Sequence, residues 1–208
     1  ITFQGEQSGG EQSILAQIQA SHDGTADDEK GDLIFKTNDG NDSTSPTERL
    51  RIDSAGSIIP AALGNDNVHL GEEALVSVAA GAGQNTGIGA NAGKSNTTGD
   101  YNTLLGYNAG DAITTGSSNV AVGYNALSAE DGDGSNIAVG ANALGNQNAG
   151  ATAYNVAVGH DAGASVTTGI YNTLIGGLSG DALTDGSYNV GVGYSLTADT
   201  RGSNSVGV

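Results

Sequence analysis

From residue 67 onward an Asn, two residues, an aliphatic residue and a Gly recur, and their spacing constrains the architecture more than any local preference does. The units begin at Asn67, Asn85, Asn102, Asn119, Asn136, Asn155, Asn172 and Asn189, at intervals of 18, 17, 17, 17, 19, 17 and 17. A partial unit closes the chain in SNSVGV, and VSVAAG at residues 76–81 reads as an extra, irregular copy. Self-similarity at a fixed period predicts a stack of equivalent coils, because one such unit is too short to bury its own apolar face.

Each unit can be read physically. In NVAVG, Val120 and Val122 fall on one face of a short strand and Ala121 on the other. Gly123 then permits a bend that a side chain would block, YNAL leads into a second short strand, and TTGSSN turns the chain back. The predicted coil has two strands and two turns, and coils stacked at the roughly 4.8 Å strand spacing bury their aliphatic residues together. Asn102, Asn119, Asn136, Asn155, Asn172 and Asn189 then form a column whose side-chain amides bond along the stack. Gly106, Gly123, Gly140, Gly159, Gly176 and Gly193 form a parallel column of bends. An amphipathic helix is excluded, since Gly recurs too often and no 3.6-residue apolar stripe survives.

The aliphatic column is a thin core, narrowed further by Thr86, Thr103 and Thr173 at the first strand place. Several chains around one axis would share the burial and hide their lateral edges, so a parallel homotrimer is expected. Composition agrees with an architecture built on small residues: 35 of 208 residues are Gly, aromatics make 4%, and Cys, Met and Trp are absent. Such a chain has a large ordering entropy to overcome, which a regular stack can do and an ordinary globular core cannot.

Charge density changes near residue 60, with 11 acidic and 4 basic residues in 1–60 against 12 and 2 in 61–208. Residues 1–60 carry strand candidates at Ile1–Phe3, Ile14–Ile18, Asp32–Lys36 and Arg49–Ile52, separated by turn-rich stretches, and read as a small β domain. Residues 61–208 are the repeat array. The net charge of −17 speaks against nucleic acid or an anionic membrane as partner. No apolar run approaches membrane-spanning length, and no signal peptide opens the chain. Ile1 and the strand-like ITFQGE suggest the interior of a longer polypeptide.

Candidate chemistry is sparse. Gly93-Lys94-Ser95 is the end of a phosphate-binding loop, but Ile88 stands where its first Gly belongs, and the segment keeps the repeat register; it reads as a turn. Glu130, Asp131 and Asp133 in AEDGDGSN offer oxygens to a Ca²⁺ ion, as do the acidic stretches at 26–32 and 38–42. No complete calcium-loop pattern is present, so solvated turns and no cofactor are expected, with Ca²⁺ as the alternative. His22, His69 and His160 are isolated, and His160 takes the place of Tyr107 and Tyr124 in sister repeats. Tyr101, Tyr154, Tyr171 and Tyr188 precede the motif Asn, whereas Tyr107, Tyr124 and Tyr194 follow the motif Gly. Rings one coil apart should stack; Tyr107 and Tyr124 are also the candidates for contact with a receptor.

SNVAVGYNAL, SNIAVGANAL and YNVAVGHDAG resemble the head repeats of YadA-type trimeric autotransporter adhesins, and similar repeats occur in bacteriophage tail fibres. GDLIFKTNDG followed by SPTERLRIDSAGSI resembles a segment of phage tail fibres, especially those of marine and cyanobacterial phages. The resemblance implies a homotrimeric fibre with a left-handed parallel β-roll, exposed on a virion and used for attachment. Its partners would be other virion tail proteins and a host cell-surface polysaccharide or protein. Two departures matter: the 17-residue repeat exceeds the usual adhesin head coil, and neither an autotransporter anchor nor a phage-fibre autocleaving chaperone occurs among the 208 residues.

The expected function is therefore a non-enzymatic, rigid segment of a tail fibre or spike. A bacterial cell-surface adhesin would share the fold. A tailspike depolymerase would need paired carboxylates, and the acidic residues do not recur in register on one face. An ice-binding solenoid would need a flat Thr array, whereas the TTG stretches sit at bends and skip several coils.

Overall fold

A computed structural model describes residues 1–6, 12–22, 31–37, 46–52, 58–60, 67–78, 82–132, 134–195 and 203–208. These residues are all-β and fall into two compact units, Ile1–Ala62 and Leu63–Val208.

The first unit is an antiparallel meander of β1 (Thr2–Glu6), β2 (Gln12–His22), β3 (Gly31–Thr37), β4 (Thr47–Ile52) and β5 (Ile58–Pro60), paired in sequence order. The Glu-Arg-Leu-Arg stretch gains a physical meaning here. Phe35 pairs with Leu50 but Lys36 pairs with Glu48, so Arg49 is an extra residue bulged out of β4. Without the bulge Glu48 and Arg51 would point to opposite faces; with it, the Arg51 guanidinium forks onto Glu48 at 2.7 and 2.9 Å. Its remaining nitrogen donates to Asp32 on β3 at 2.5 Å, tying the two strands together.

The second unit is a parallel β-solenoid. Its strands are β6 (Val68–Leu70), β7 (Thr86–Ile88), β8 (Thr103–Leu105), β9 (Val120–Val122), β10 (Ile137–Val139), β11 (Val156–Val158), β12 (Thr173–Ile175), β13 (Val190–Val192) and β14 (Val206–Gly207). They form one nine-stranded sheet in chain order, each strand paired in register with the equivalent residues of the next coil. The closing SNSVGV contributes β14, with Ser205 in the place of the motif Asn. Residues 76–78 form a turn inside the first coil rather than a further copy; 79–81 lie outside the described residues.

Each described coil has one strand, not two. The segment that follows the bend Gly is a run of turns, because Asn125 (φ 51°) and Leu127 (φ 54°) both enter the left-handed region and break any extended run. It still bonds from coil to coil, Asn125 N–H to the Tyr107 carbonyl at 3.0 Å and Leu127 N–H to the Ala143 carbonyl at 3.0 Å.

The core also differs from the expected aliphatic column. Counting the motif Asn as position 0, positions 1 and 3 face outward, and position 2 faces in: Ala121 is buried while Val120 and Val122 are half-buried. Alternation sets which residues share a face but not which face is inward. Thr86, Thr103 and Thr173 therefore narrow nothing in the core. Inside, several coils place a Leu at one of two positions. Leu104 and Leu174 at position 2 accompany Gly110 and Gly180 at position 8, whereas Ala121 and Ala138 accompany Leu127 and Leu144. The exchange is steric, since a Cβ on Gly180 would lie 2.7 Å from Leu174 Cδ2. Coils with small residues at both places borrow volume: a Cβ on Gly163 would meet Leu174 at 2.9 Å and Leu144 at 3.0 Å. Interior packing is thus close around these positions.

Candidate functional site

The Asn column is buried and does two jobs. Each Oδ1 accepts the backbone N–H of the next motif Asn, through Asn85, Asn102, Asn119, Asn136, Asn155, Asn172 and Asn189, at 2.8–3.0 Å. The Nδ2 groups of Asn85, Asn102, Asn155 and Asn172 donate to the carbonyls of Gly99, Gly116, Gly169 and Gly186, closing each coil on itself at 2.7–2.9 Å. The column is thus structural, as are the bend glycines. Gly106, Gly123, Gly140, Gly159, Gly176 and Gly193 hold φ between 125° and 143°, where a side chain is strained. A Cβ on Gly123 would also lie 2.5 Å from the Gly140 carbonyl oxygen.

Function has to be sought outside this frame. Tyr107 and Tyr124 are about half exposed and stack at 5.7 Å with an interplanar angle of 10°. A second column, Tyr154, Tyr171 and Tyr188, stacks at 5.4 and 5.0 Å on the residue before the motif Asn. Tyr101 shares that place, but its neighbours along the stack are Gln84 and Ser118. The ring spacing follows the coil spacing, so stacking comes with the fold and leaves the outer edges of the rings exposed.

Sequence reasoning missed a second polar ladder, on the residue after each bend-flanking Tyr, Ala or His. Asn91 Nδ2 donates to Asn108 Oδ1 at 3.0 Å and Asn108 to Asn125 at 3.2 Å; two coils on, Asn142 donates to Asp161 at 2.8 Å. Beside it runs an open groove of about 320 Å³, lined by Asn125, Ser128, Asn142, Gly145, Asn146, Asp161 and Ala164. The recurrent second Asn of YNAG, YNAL and ANAL was the available signal.

The remaining candidates separate. Lys94 of the Gly-Lys-Ser stretch pairs with Glu73 of the preceding coil, and a Cβ on Gly93 would lie 2.5 Å from Leu104, so this is a packed corner. Glu130 is fully buried, accepting from Asn136 Nδ2 at 3.3 Å, whereas Asp131 is exposed; Asp133 lies outside the described residues, as do 26–30 and 38–42. Among the described residues no three His, Cys, Asp or Glu side chains gather about one point. His69 is half-buried at position 2 of its coil, and exposed His160 pairs with Asp161 at 2.9 Å. No helix of the described residues is long and apolar enough to cross a membrane.

Comparisons with protein-family models, with curated proteins and with solved structures give no match to this chain.

Proposed function

We propose that the chain is a non-enzymatic structural segment of a bacteriophage tail fibre or spike, in which three parallel copies form a rigid rod for host attachment. The observation that carries this reading is the outer face of the parallel sheet. Leu70, Leu105, Val158, Ile175 and Val192 at position 3, with Val68, Ile137 and Val190 at position 1, leave aliphatic side chains 37–60% exposed on the outer face of six of the coils. Contiguous apolar surface of this kind asks for a cover, and a stripe that repeats with the coil is best covered by the same stripe on a copy in register. A three-fold arrangement covers all the stripes at once and turns the stacked coils into a rod whose length follows repeat number. The other members of this reading are virion tail proteins and a host cell-surface polysaccharide or protein, with Tyr107 and Tyr124 exposed on the flank.

Native mass measurement of the chain tests it, with three times 20.4 kDa expected. A monomer that persists at high concentration overturns the rod. Immunogold labelling with antibody to the chain separates its settings: labelled tail appendages on virions are expected, and label on bacterial envelopes alone would make it a surface adhesin.

A further inference from the structure

The groove beside the second ladder exists because one coil position changes character. Position 9 is Lys94 and Asp111 in two coils, then Ser128, Gly145 and Ala164 in the next three, then Asp181. Three small neutral residues between charged ones leave the 320 Å³ channel open across three coils. That volume lies within the range of small-ligand sites, which begins at about 300 Å³.

The ladder breaks where the groove opens. Asn91, Asn108 and Asn125 are joined, and Asn142 is joined to Asp161, but no hydrogen bond links Asn125 to Asn142. The break leaves the Asn125 amide nitrogen as a donor and the Asn142 carbonyl oxygen as an acceptor, on two residues that both line the groove. Asn146 also lines the groove, its Nδ2 donating to the Ala164 carbonyl at 2.7 Å and its Oδ1 left to accept.

Charge narrows the ligand class. The lining holds no cationic side chain, and the chain carries −17, so anions are disfavoured. The one carboxylate, Asp161, accepts from Asn142 Nδ2 on one oxygen and has His160 Nδ1 2.9 Å from the other. What remains are neutral amides and the Ser128 hydroxyl, which donates to the Gly145 carbonyl at 3.3 Å and is left to accept; together they pair with groups that donate and accept at once.

We infer that this groove binds a neutral saccharide unit, its hydroxyls bridging Asn125, Asn142 and Asn146. The use of such binding in attachment rests on the reading above; the binding itself rests on the groove. The test is saturation-transfer NMR on the full chain with neutral glucose-, galactose-, mannose- and N-acetylglucosamine-containing oligosaccharides, and sialyllactose as the anionic comparison. Transfer to at least one neutral oligosaccharide and none to sialyllactose is expected. Asn125→Ala with Asn142→Ala should weaken binding at least tenfold. Ser128→Asp and Ala164→Asp, which install the acid that sister coils carry as Asp111 and Asp181, should abolish it while the coil stays folded. No transfer to any neutral oligosaccharide, or undiminished transfer in the two Asp variants, overturns the inference. Saccharide binding by a monomeric chain would defeat the rod and leave the groove standing, and a trimer that binds none would do the reverse.

Discussion

The two units hold their strands in register by different means. In the first, β2 runs for eleven residues and register is set by side-chain chemistry, the Arg49 bulge aiming one guanidinium at Glu48 and Asp32. In the second, strands of three residues are too short for side-chain pairs to choose a register. There one recurring contact decides, an Asn side-chain Oδ1 that accepts one backbone N–H per coil, together with a Gly bend in a conformation closed to other residues. A short strand repeated nine times can be specified by one buried amide and one bend per coil, at the cost of tolerating no Cβ at the bend.

The sharpest way to break this contrast is Gly123→Ala. The change meets both a φ of 138° and a carbonyl 2.5 Å from the new Cβ. Backbone strain and overpacking together should cost about 3 kcal/mol or more by chemical denaturation. Gly132→Ala is the control: its nearest neighbour would be the Thr115 hydroxyl at 3.3 Å, and its φ lies outside the left-handed region. That substitution should stay within about 1 kcal/mol of the parent. Equal costs would show that the bend column does not set the register.

The first unit should respond to side-chain chemistry instead. Arg51→Lys keeps the charge but replaces a planar fork by a point charge that cannot bond Glu48 twice and Asp32 at once. Hydrogen exchange should rise in β3 and β4 by a smaller margin than Gly123→Ala produces around its own coil, with the solenoid peptides unchanged. Unchanged exchange in β3 and β4 would mean that strand pairing there does not depend on the fork.

What was legible in the sequence follows the same division. The 17-residue period, the Asn and Gly columns and the ring stacks could be read because each depends on one residue type recurring in one place. The inward face could not, since alternation is symmetric between Val120 or Val122 and Ala121; only the exchange of Leu between positions 2 and 8, seen across several coils, identifies the interior. The groove was illegible for a related reason. It arises from a place where the repeat fails, at Ser128, Gly145 and Ala164, and from a missing bond between Asn125 and Asn142, neither of which a consensus reveals. The bulge at Arg49 depends on the partner strand and has no signature of its own in β4.

The smallest expected effect concerns the charged neighbours of that groove. At position 9 of its coil, Asp111 has one buried carboxylate oxygen without a hydrogen-bond partner. Burial raises its pKa above the ordinary 3.8, against the opposing pull of its own and the Ala112 backbone N–H groups and the Lys94 charge. An acid whose pKa is higher in the folded state holds its proton more tightly there than when unfolded, so ionisation costs stability. That cost is absent below 3.8, grows as pH rises through the raised folded value and is constant above it. Asp111→Asn keeps an acceptor for the backbone N–H groups and removes the charge. The variant should therefore melt slightly higher than the parent at pH 7, with the advantage shrinking to nothing below pH 3.8, in paired thermal scans across that range. A variant that melts lower at pH 7 would show instead that the Lys94 attraction outweighs burial. Position 9 would then be a place where charge stabilises the coil, and its neutral run at Ser128, Gly145 and Ala164 would come at a cost in stability that the groove's function must justify.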